Sequence, residues 1–427
     1  MALSTQPYKG TRDFYPEDMR VRKWIFRKWS EVCEQFGYEE YDGPILEPFE
    51  LYASKTSEEI VTEQTYTLID RGDRKVVMRP EMTPTVSRMV AAKRQELAYP
   101  VRLYSIPNCF RYERPQKGRL REFWQLNADI FGIEGVEADV EIIMLADATM
   151  QAFGANRDMY RIEIGSRNLL NEVASKYGVT DAQAFIRLVD AKDKMSKEEF
   201  ERKLSDLVSG KENLELVIYI LNLKSLEGLR TGLNLSSLES VREVLLALSK
   251  MLIDGPKTNI VFNPAVARGF DYYTDIVFEV FDTNPENNRS MFGGGRYDGL
   301  VGSFGVEPVP TVGFAAGDAT LLNFLTSNNL LPALTTETDI YIATVGDVVA
   351  QAQDVAQKLR AAGLNVAVNL SDKKLDKQIK VADKKGITKV LFIGEKELED
   401  NAYTLKDLKT GTSQTYSLEQ LVTALKA

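Results

Sequence analysis

Histidine is missing from all 427 residues of this chain. Its absence excludes Ser-His-Asp and Cys-His nucleophile arrangements and any imidazole-ligated metal. Catalysis, if there is any, has to rest on arginine, carboxylates, tyrosine, backbone groups and a bound divalent ion. Cysteine is scarce as well. Cys33 and Cys109 are the only two, which offers neither a disulfide framework nor a metal quartet. No apolar run approaches the roughly 18–20 residues that a membrane span needs. Met1–Lys23 is charged and lacks an apolar h-region, so no signal peptide is expected. These absences point to the cytoplasm and to no membrane association.

What remains is ordinary for a soluble globular protein of two or three domains, with 44% hydrophobic and 27% charged residues. The net charge of −9 argues against a protein that coats nucleic acid indiscriminately. It leaves room for one that grips RNA at local basic patches. The densest such patch is Phe110–Gln125, where Arg111, Arg114, Lys117, Arg119 and Arg121 surround a Pro115/Gly118 turn. Phe110–Glu113 and Leu120–Leu126 can pair as antiparallel strands across that turn. Cations projected from strand and loop together suit a nucleoside triphosphate or an RNA end. A solvated, charge-laced hairpin is the other reading of the same residues.

Along the chain, Glu17–Phe36 carries Val21, Trp24, Ile25, Trp29, Val32, Cys33 and Phe36 at helical spacing, with Gly37 placed as a C-cap. Tyr38–Glu47 is extended and broken at Gly43-Pro44. Tyr66–Ile69 and Val76–Arg79 form a predicted hairpin, and Thr83-Pro84 has the form of an N-cap and first helical proline. A strand at Val101–Ser105 and a helix at Asp139–Phe153 follow. From about 165 to 255, Lys/Glu alternation and few aromatics predict a helical insertion. Strands return at Ile260–Phe262 and Ile276–Phe281, and Val312–Leu325 reads as a strand entering a helix. Gly293-Gly294-Gly295 fits either a close backbone approach or a plain turn. Residues 326–338 read as a linker. Beyond it, strands at Ile340–Thr344, Val366–Asn369 and Val390–Ile393 alternate with helices in a small α/β domain. One of these helices, Asp372–Lys385, places Lys373, Lys377, Lys380 and Lys384 on one stripe, with Leu375, Ile379 and Ala382 opposite. That stripe suits RNA phosphates; a solvated face is its other reading.

Taken together, Lys9-Gly10-Thr11-Arg12-Asp13, Arg79-Pro80-Glu81-Met82-Thr83-Pro84, the Phe110–Gln125 segment and Ala267-Arg268-Gly269-Phe270-Asp271-Tyr272-Tyr273-Thr274 resemble the histidyl-tRNA synthetases, a class II aminoacyl-tRNA synthetase family. Phe110–Gln125 looks like motif 2, Glu17–Glu47 like the motif 1 dimer-forming helix and strand, and Arg268–Tyr273 like a segment peculiar to histidyl enzymes. The resemblance implies an α+β catalytic domain over 1–325, built on an antiparallel sheet with the helical insertion. A linker over 326–338 and a smaller α/β anticodon-binding domain over 339–427 follow. It further implies a cytoplasmic homodimer that joins histidine to tRNA(His) through a histidyl-adenylate, with ATP as substrate and Mg²⁺ bridging its phosphates.

On this resemblance Arg111 and Arg268 match the catalytic arginines on the α-phosphate and the reacting carboxylate; a salt bridge to the nearby Asp271 is the other reading of Arg268. Glu113 and Arg119 join them as nucleotide-binding positions. Glu81, Thr83 and Gln125 match the positions that hold the histidine ammonium. Asp129, Tyr272 and Tyr273 line the side-chain site, Asp129 where many members carry glutamate. Gln116, Lys117 and Arg121, with the four lysines of the carboxy-terminal helix, are expected on tRNA. No residue is assigned to a metal. Motif 3 departs from the family pattern: Gly317-Asp318-Ala319-Thr320 stands where Gly-x-Glu-Arg is usual, and no arginine occurs from Thr311 to Leu330. Arg296 and the motif 2 arginines are the candidates to compensate. A second reading is a catalytically impaired, histidine-binding paralogue acting as a regulatory subunit. A third, a general RNA-binding module, leaves Glu81, Gln125 and Tyr273 unexplained. The missing histidine is either compositional drift or a device that lets such an enzyme be translated during histidine starvation.

Overall fold

The computed structural model describes residues 3–53, 64–115, 118–192, 195–226, 233, 235–251, 259–287 and 290–426. The chain forms two compact units, residues 1–13 with 22–331, and residues 14–21 with 332–427. The helix Pro16–Gln35 buries Ile25, Trp29, Val32 and Cys33, the apolar face its periodicity predicts. It stops at Gly37, whose φ of 78° is the left-handed conformation that a Cβ disfavours.

The first unit is organised by a nine-stranded sheet. Its strands are β1 (Glu39–Glu40), β5 (Val101–Ser105), β6 (Asn108–Phe110), β7 (Glu122–Phe131), β8 (Tyr160–Ser166), β9 (Ile260–Phe262), β10 (Ile276–Asp282), β11 (Ser290–Arg296) and β12 (Thr311–Gly317). Their order is β1-β5-β7-β12-β11-β10-β8-β9, with β6 pairing the first part of β7. The sheet is mixed, not purely antiparallel: β1–β5 and β8–β9 are parallel edge pairs. A three-stranded sheet, β2 (Leu46–Pro48), β4 (Lys75–Met78) and β3 (Tyr66–Ile69), lies apart from it. The region after β8 is helical as expected, with helices at Arg167–Lys176, Ala182–Asp190, Lys197–Leu207, Lys211–Leu221 and Leu238–Met251.

Gly293, Gly294 and Gly295 are strand residues of β11, paired with β10 and β12, so the plain-turn reading falls. A Cβ on any of them would run into the neighbouring strands' backbone. The motif 2 hairpin is real but displaced: Asn108, Cys109 and Phe110 pair with Trp124, Phe123 and Glu122, and Arg111 N–H reaches Arg121 O at 3.0 Å. Thr83 is not an N-cap. The helix Thr83–Ala92 begins at Thr83 itself, Met82 takes the cap position, and no side chain caps it.

The second unit holds a sheet ordered β14 (Val366–Val368), β13 (Ile340–Thr344), β15 (Lys389–Ile393), β16 (Tyr403–Asp407), β17 (Ser413–Tyr416). β13 is parallel to β14 and β15, and the antiparallel β15–β16–β17 edge was not foreseen. Its lysine-bearing helix runs from Leu375 to Lys384, which leaves Lys373 outside it. The cause is a tertiary contact: Gln378, buried, donates to Lys373 O at 2.7 Å and to Thr344 O at 2.9 Å. Lys377, Lys380 and Lys384 share the exposed side of the helix, while Ala382 and Leu375 pack into the unit's core. No helix among the described residues is long and apolar enough to cross a membrane.

Candidate active site

Period-2 alternation along β7 sends Gln125, Asn127 and Asp129 to one face of the large sheet. That face is the wall of a cavity of about 260 Å³, which also collects Glu81, Thr83, Arg111, Arg119, Arg268, Tyr272 and Tyr273. Each predicted histidine-binding residue, and three of the four nucleotide-binding ones, therefore meet in one place. The fourth, Glu113, lines an adjoining cavity of about 190 Å³ with Arg111, Arg119, Phe123, Gln125 and Thr320.

Glycines make the floor. The register sets Asp129 beside Gly313, Gly313 beside Gly295, and Glu279 beside Gly293. A Cβ at 313 would occupy the space of the Asp129 carboxylate, one at 295 would press on the Tyr273 ring, and one at 293 on the Arg268 guanidinium. Gly293, Gly295 and Gly313 are what let these three side chains lie close over the strands.

Glu81 is buried and accepts a hydrogen bond from the Tyr272 hydroxyl at 3.0 Å. Its strand-to-helix segment is fixed by Arg79, which donates to Gly43 O at 2.7 Å and Asn108 O at 2.9 Å. Asp129, 3% exposed, accepts from the Tyr297 hydroxyl through Oδ1. Its Oδ2 and the Oε1 of Gln125 have no hydrogen-bond partner among the described residues. Burial pushes the Asp129 carboxyl up to about 7, against the Tyr297 hydrogen bond that holds it down. Buried polar atoms without partners are uncommon in proteins. Here two of them face the same cavity, as a site for a small polar ligand requires.

The arginines are held by backbone carbonyls, aromatic rings and two carboxylates, Glu113 and Glu279. Arg111 donates from Nε to Pro80 O at 2.9 Å and lies over the Phe123 and Phe270 rings. Glu113 sits between Arg119, at 3.4 Å, and Arg111, at 4.0 Å. Arg268 pairs with Glu279 at 2.9 Å and donates to Gly293 O at 3.2 Å, so its alternative partner Asp271 is not the one it takes. Burial opposes the Arg268 charge, yet Tyr273 and Glu279 hold its guanidinium above the ordinary range.

The expectation for Arg296 is corrected. Arg296 cannot compensate for motif 3: it is buried against Asp139, with Nη2–Oδ2 at 2.5 Å, and donates to Gly135 O at 2.8 Å. At the motif 3 turn, Thr320 donates to Met291 O at 2.9 Å and Asp318 pairs with Arg12 at 2.6 Å. Of the motif 2 arginines, Arg111 and Arg119 both line the two cavities. Arg121, an expected tRNA contact, donates to the Tyr8 hydroxyl at 2.9 Å and lies over the Tyr112 ring. Gln116 and Lys117 lie outside the described residues. Sequence reasoning missed Tyr297, Glu279 and Asn127. The Gly-rich Phe292–Tyr297 stretch was the signal for the first.

The family model for histidyl-tRNA synthetase matches residues 10–321, and that for the anticodon-binding domain matches residues 339–427. The chain belongs to the histidyl-tRNA synthetase family. A histidine–tRNA ligase of Leptospira biflexa is 42% identical over 99% of this chain and 98% of its own length. One from Thermococcus kodakarensis is 37% identical over 97% and 96%. The crystal structure of histidyl-tRNA synthetase from Nostoc sp. PCC 7120 superposes with a TM-score of 0.81 at 22% identity, covering 100% of this chain and 99% of that one. It shares the fold. These family members match along both units, and the match through the anticodon-binding domain leaves nothing that favours the regulatory-subunit reading.

Proposed function

We propose that the protein is a histidine–tRNA ligase that activates histidine with ATP and transfers it to tRNA(His). The observation that carries this is a single cavity joining Glu81, Gln125, Asp129 and Tyr273 to Arg111 and Arg268. In adenylate formation a histidine carboxylate oxygen attacks the α-phosphorus and pyrophosphate leaves. Both reactants are anionic, so alignment and charge neutralisation dominate the barrier. Arg111 and Arg268 supply fixed, always-charged donors for that step. Glu81, Thr83 and Gln125 would hold the ammonium, while Asp129, Tyr272 and Tyr273 would read the imidazole. Mg²⁺ belongs to the same proposal. It is usually held by phosphate oxygens with one or two carboxylates, and Glu113 and Glu279 are the carboxylates beside the two arginines.

A cytoplasmic homodimer completes the proposal. Ile45, Leu46, Leu68 and Ile69 expose apolar surface on and beside the small sheet, which suits an interface. Lys373, Lys377, Lys380 and Lys384 would meet tRNA. Histidine-dependent ATP–pyrophosphate exchange tests the activity, and exchange specific for histidine is expected. Histidine binding without exchange would overturn it.

A further inference from the structure

Arg268 is one of four described non-glycine residues with positive φ, at 59°. A side-chain-bearing residue persists in that conformation when its surroundings impose it. Its surroundings here are the end of β8 and the start of the next helix. Arg167, the first residue of Arg167–Lys176, is 7% exposed. Its Nη1 donates to Ala267 O at 3.1 Å and to Arg268 O at 3.2 Å. The same turn grips the far end of the 267–275 loop. Arg167 N–H donates to Asp275 O at 2.8 Å, and Ser166 Oγ donates to Asp275 Oδ1 at 2.6 Å. Gly165 lets the loop come close, since a Cβ there would meet Val266 O at 2.7 Å and Asn263 O at 2.9 Å.

We infer that Arg167 is a positioning residue: it clamps the backbone of Arg268 in its left-handed conformation and so aims the Arg268 guanidinium into the cavity. It touches no substrate. Its side chain sits behind the loop, with both of its acceptors on the backbone. Arg268's own side chain is fixed separately, by Glu279 Oε1 and Gly293 O. Backbone and side chain are thus held from two directions, which is what a strained residue needs to keep one pose. A buried guanidinium donating to two backbone carbonyls is costly to desolvate. Burial does lower the Arg167 pKa, while Asp271 and Asp190 sustain its charge. The helical insertion, which begins at this residue, is thereby tied to the reacting centre.

The inference rests on the proposed activity, and a double-mutant cycle separates the two. Single-turnover adenylate formation is measured for the wild type, R167A, R268Q and the double variant, and again with R167K in place of R167A. R268Q keeps a donor toward Glu279 without the charge. A displaced catalytic group loses about tenfold to a hundredfold in rate, so R167A should fall by that much in kcat with ATP and histidine KM little changed. R167K, which keeps an ammonium near both carbonyls, should recover part of the loss. In the R268Q background, both changes at 167 should alter the rate by less than about twofold, because a group that acts through another has nothing left to position. A residue that merely stabilises the fold lowers the rate by the same factor in both backgrounds. That result, or wild-type kcat for R167A, overturns the inference. A wild-type protein without histidine-dependent adenylate formation overturns the proposed function instead.

Discussion

Tyr297 offers the sharpest test of how the cavity reads histidine. Its hydroxyl is the one hydrogen-bond donor the described residues give the buried Asp129 carboxyl, whose pKa stands at about 7. A hydrogen bond to a charged group contributes about 1.5–3 kcal/mol, and one pKa unit is about 1.4 kcal/mol. Tyr297→Phe should therefore raise the Asp129 pKa by roughly one to two units, to about 8–9. The carboxylate accepts an imidazole N–H and the neutral acid competes with it as a donor, so binding follows the ionised fraction. Asp129 ionises as pH rises through its folded pKa, and the variant's disadvantage must therefore shrink as pH rises. At pH 7.5 histidine affinity should be roughly threefold to twenty-five-fold weaker than wild type. At pH 6 the ratio should be about ten to a hundred, and at pH 9.5 it should approach about one. Titration calorimetry at matched pH gives these ratios, in which the ligand's own ionisation cancels. A ratio that stays constant with pH, or an equal loss of ATP affinity, would refute the assignment of Asp129 as the imidazole acceptor.

Arg268→Ala should lower pyrophosphate exchange about a hundredfold to a thousandfold, the usual cost of removing a positioned charge from a transition state. It should also lower the melting temperature, because Glu279 loses its 2.9 Å partner; exchange and a thermal melt read the two effects, and near-wild-type exchange would remove Arg268 from the chemistry. Changing Lys377 and Lys380 together to glutamine keeps helix propensity, so stability should hold. Filter binding should show weaker tRNA affinity, with a salt dependence flattened by about two counterions' worth, while exchange stays unchanged. An unaltered salt slope would return these lysines to a solvated face.

The elements legible in the sequence were those whose cause is local. Helix periodicity with Gly37 behind it placed Pro16–Gln35 to within one residue at each end. The Tyr66–Ile69 strand and its partner followed from alternation and an intervening turn. The β16–β17 hairpin escaped because β17 is a short, mostly polar and exposed edge strand, and β16 has only Tyr403 and Leu405 to mark its core side. Lys373 was misplaced because helical spacing says nothing about where a helix begins. Gln378, by capturing the Lys373 carbonyl and bridging to Thr344, decides that through tertiary contact.

Partners within the site were illegible for a different reason. Tyr297 and Asp129 are 168 residues apart and Arg296 and Asp139 are 157 apart, and no local pattern reports which arginine meets which carboxylate. Arg296 looked available for nucleotide chemistry until the register of β11 turned it toward Asp139. Arg268 looked paired with its near neighbour Asp271 until its left-handed backbone carried it to Glu279 on β10. In a chain without histidine, arginines are the cations with fixed charge at every working pH. Function then depends on which of them the fold leaves facing the cavity. Arg296 is consumed by the core. Arg111, Arg119 and Arg268 line the cavity, and for Arg268 that availability is set by one backbone angle and by the glycines that keep the strands beneath it bare.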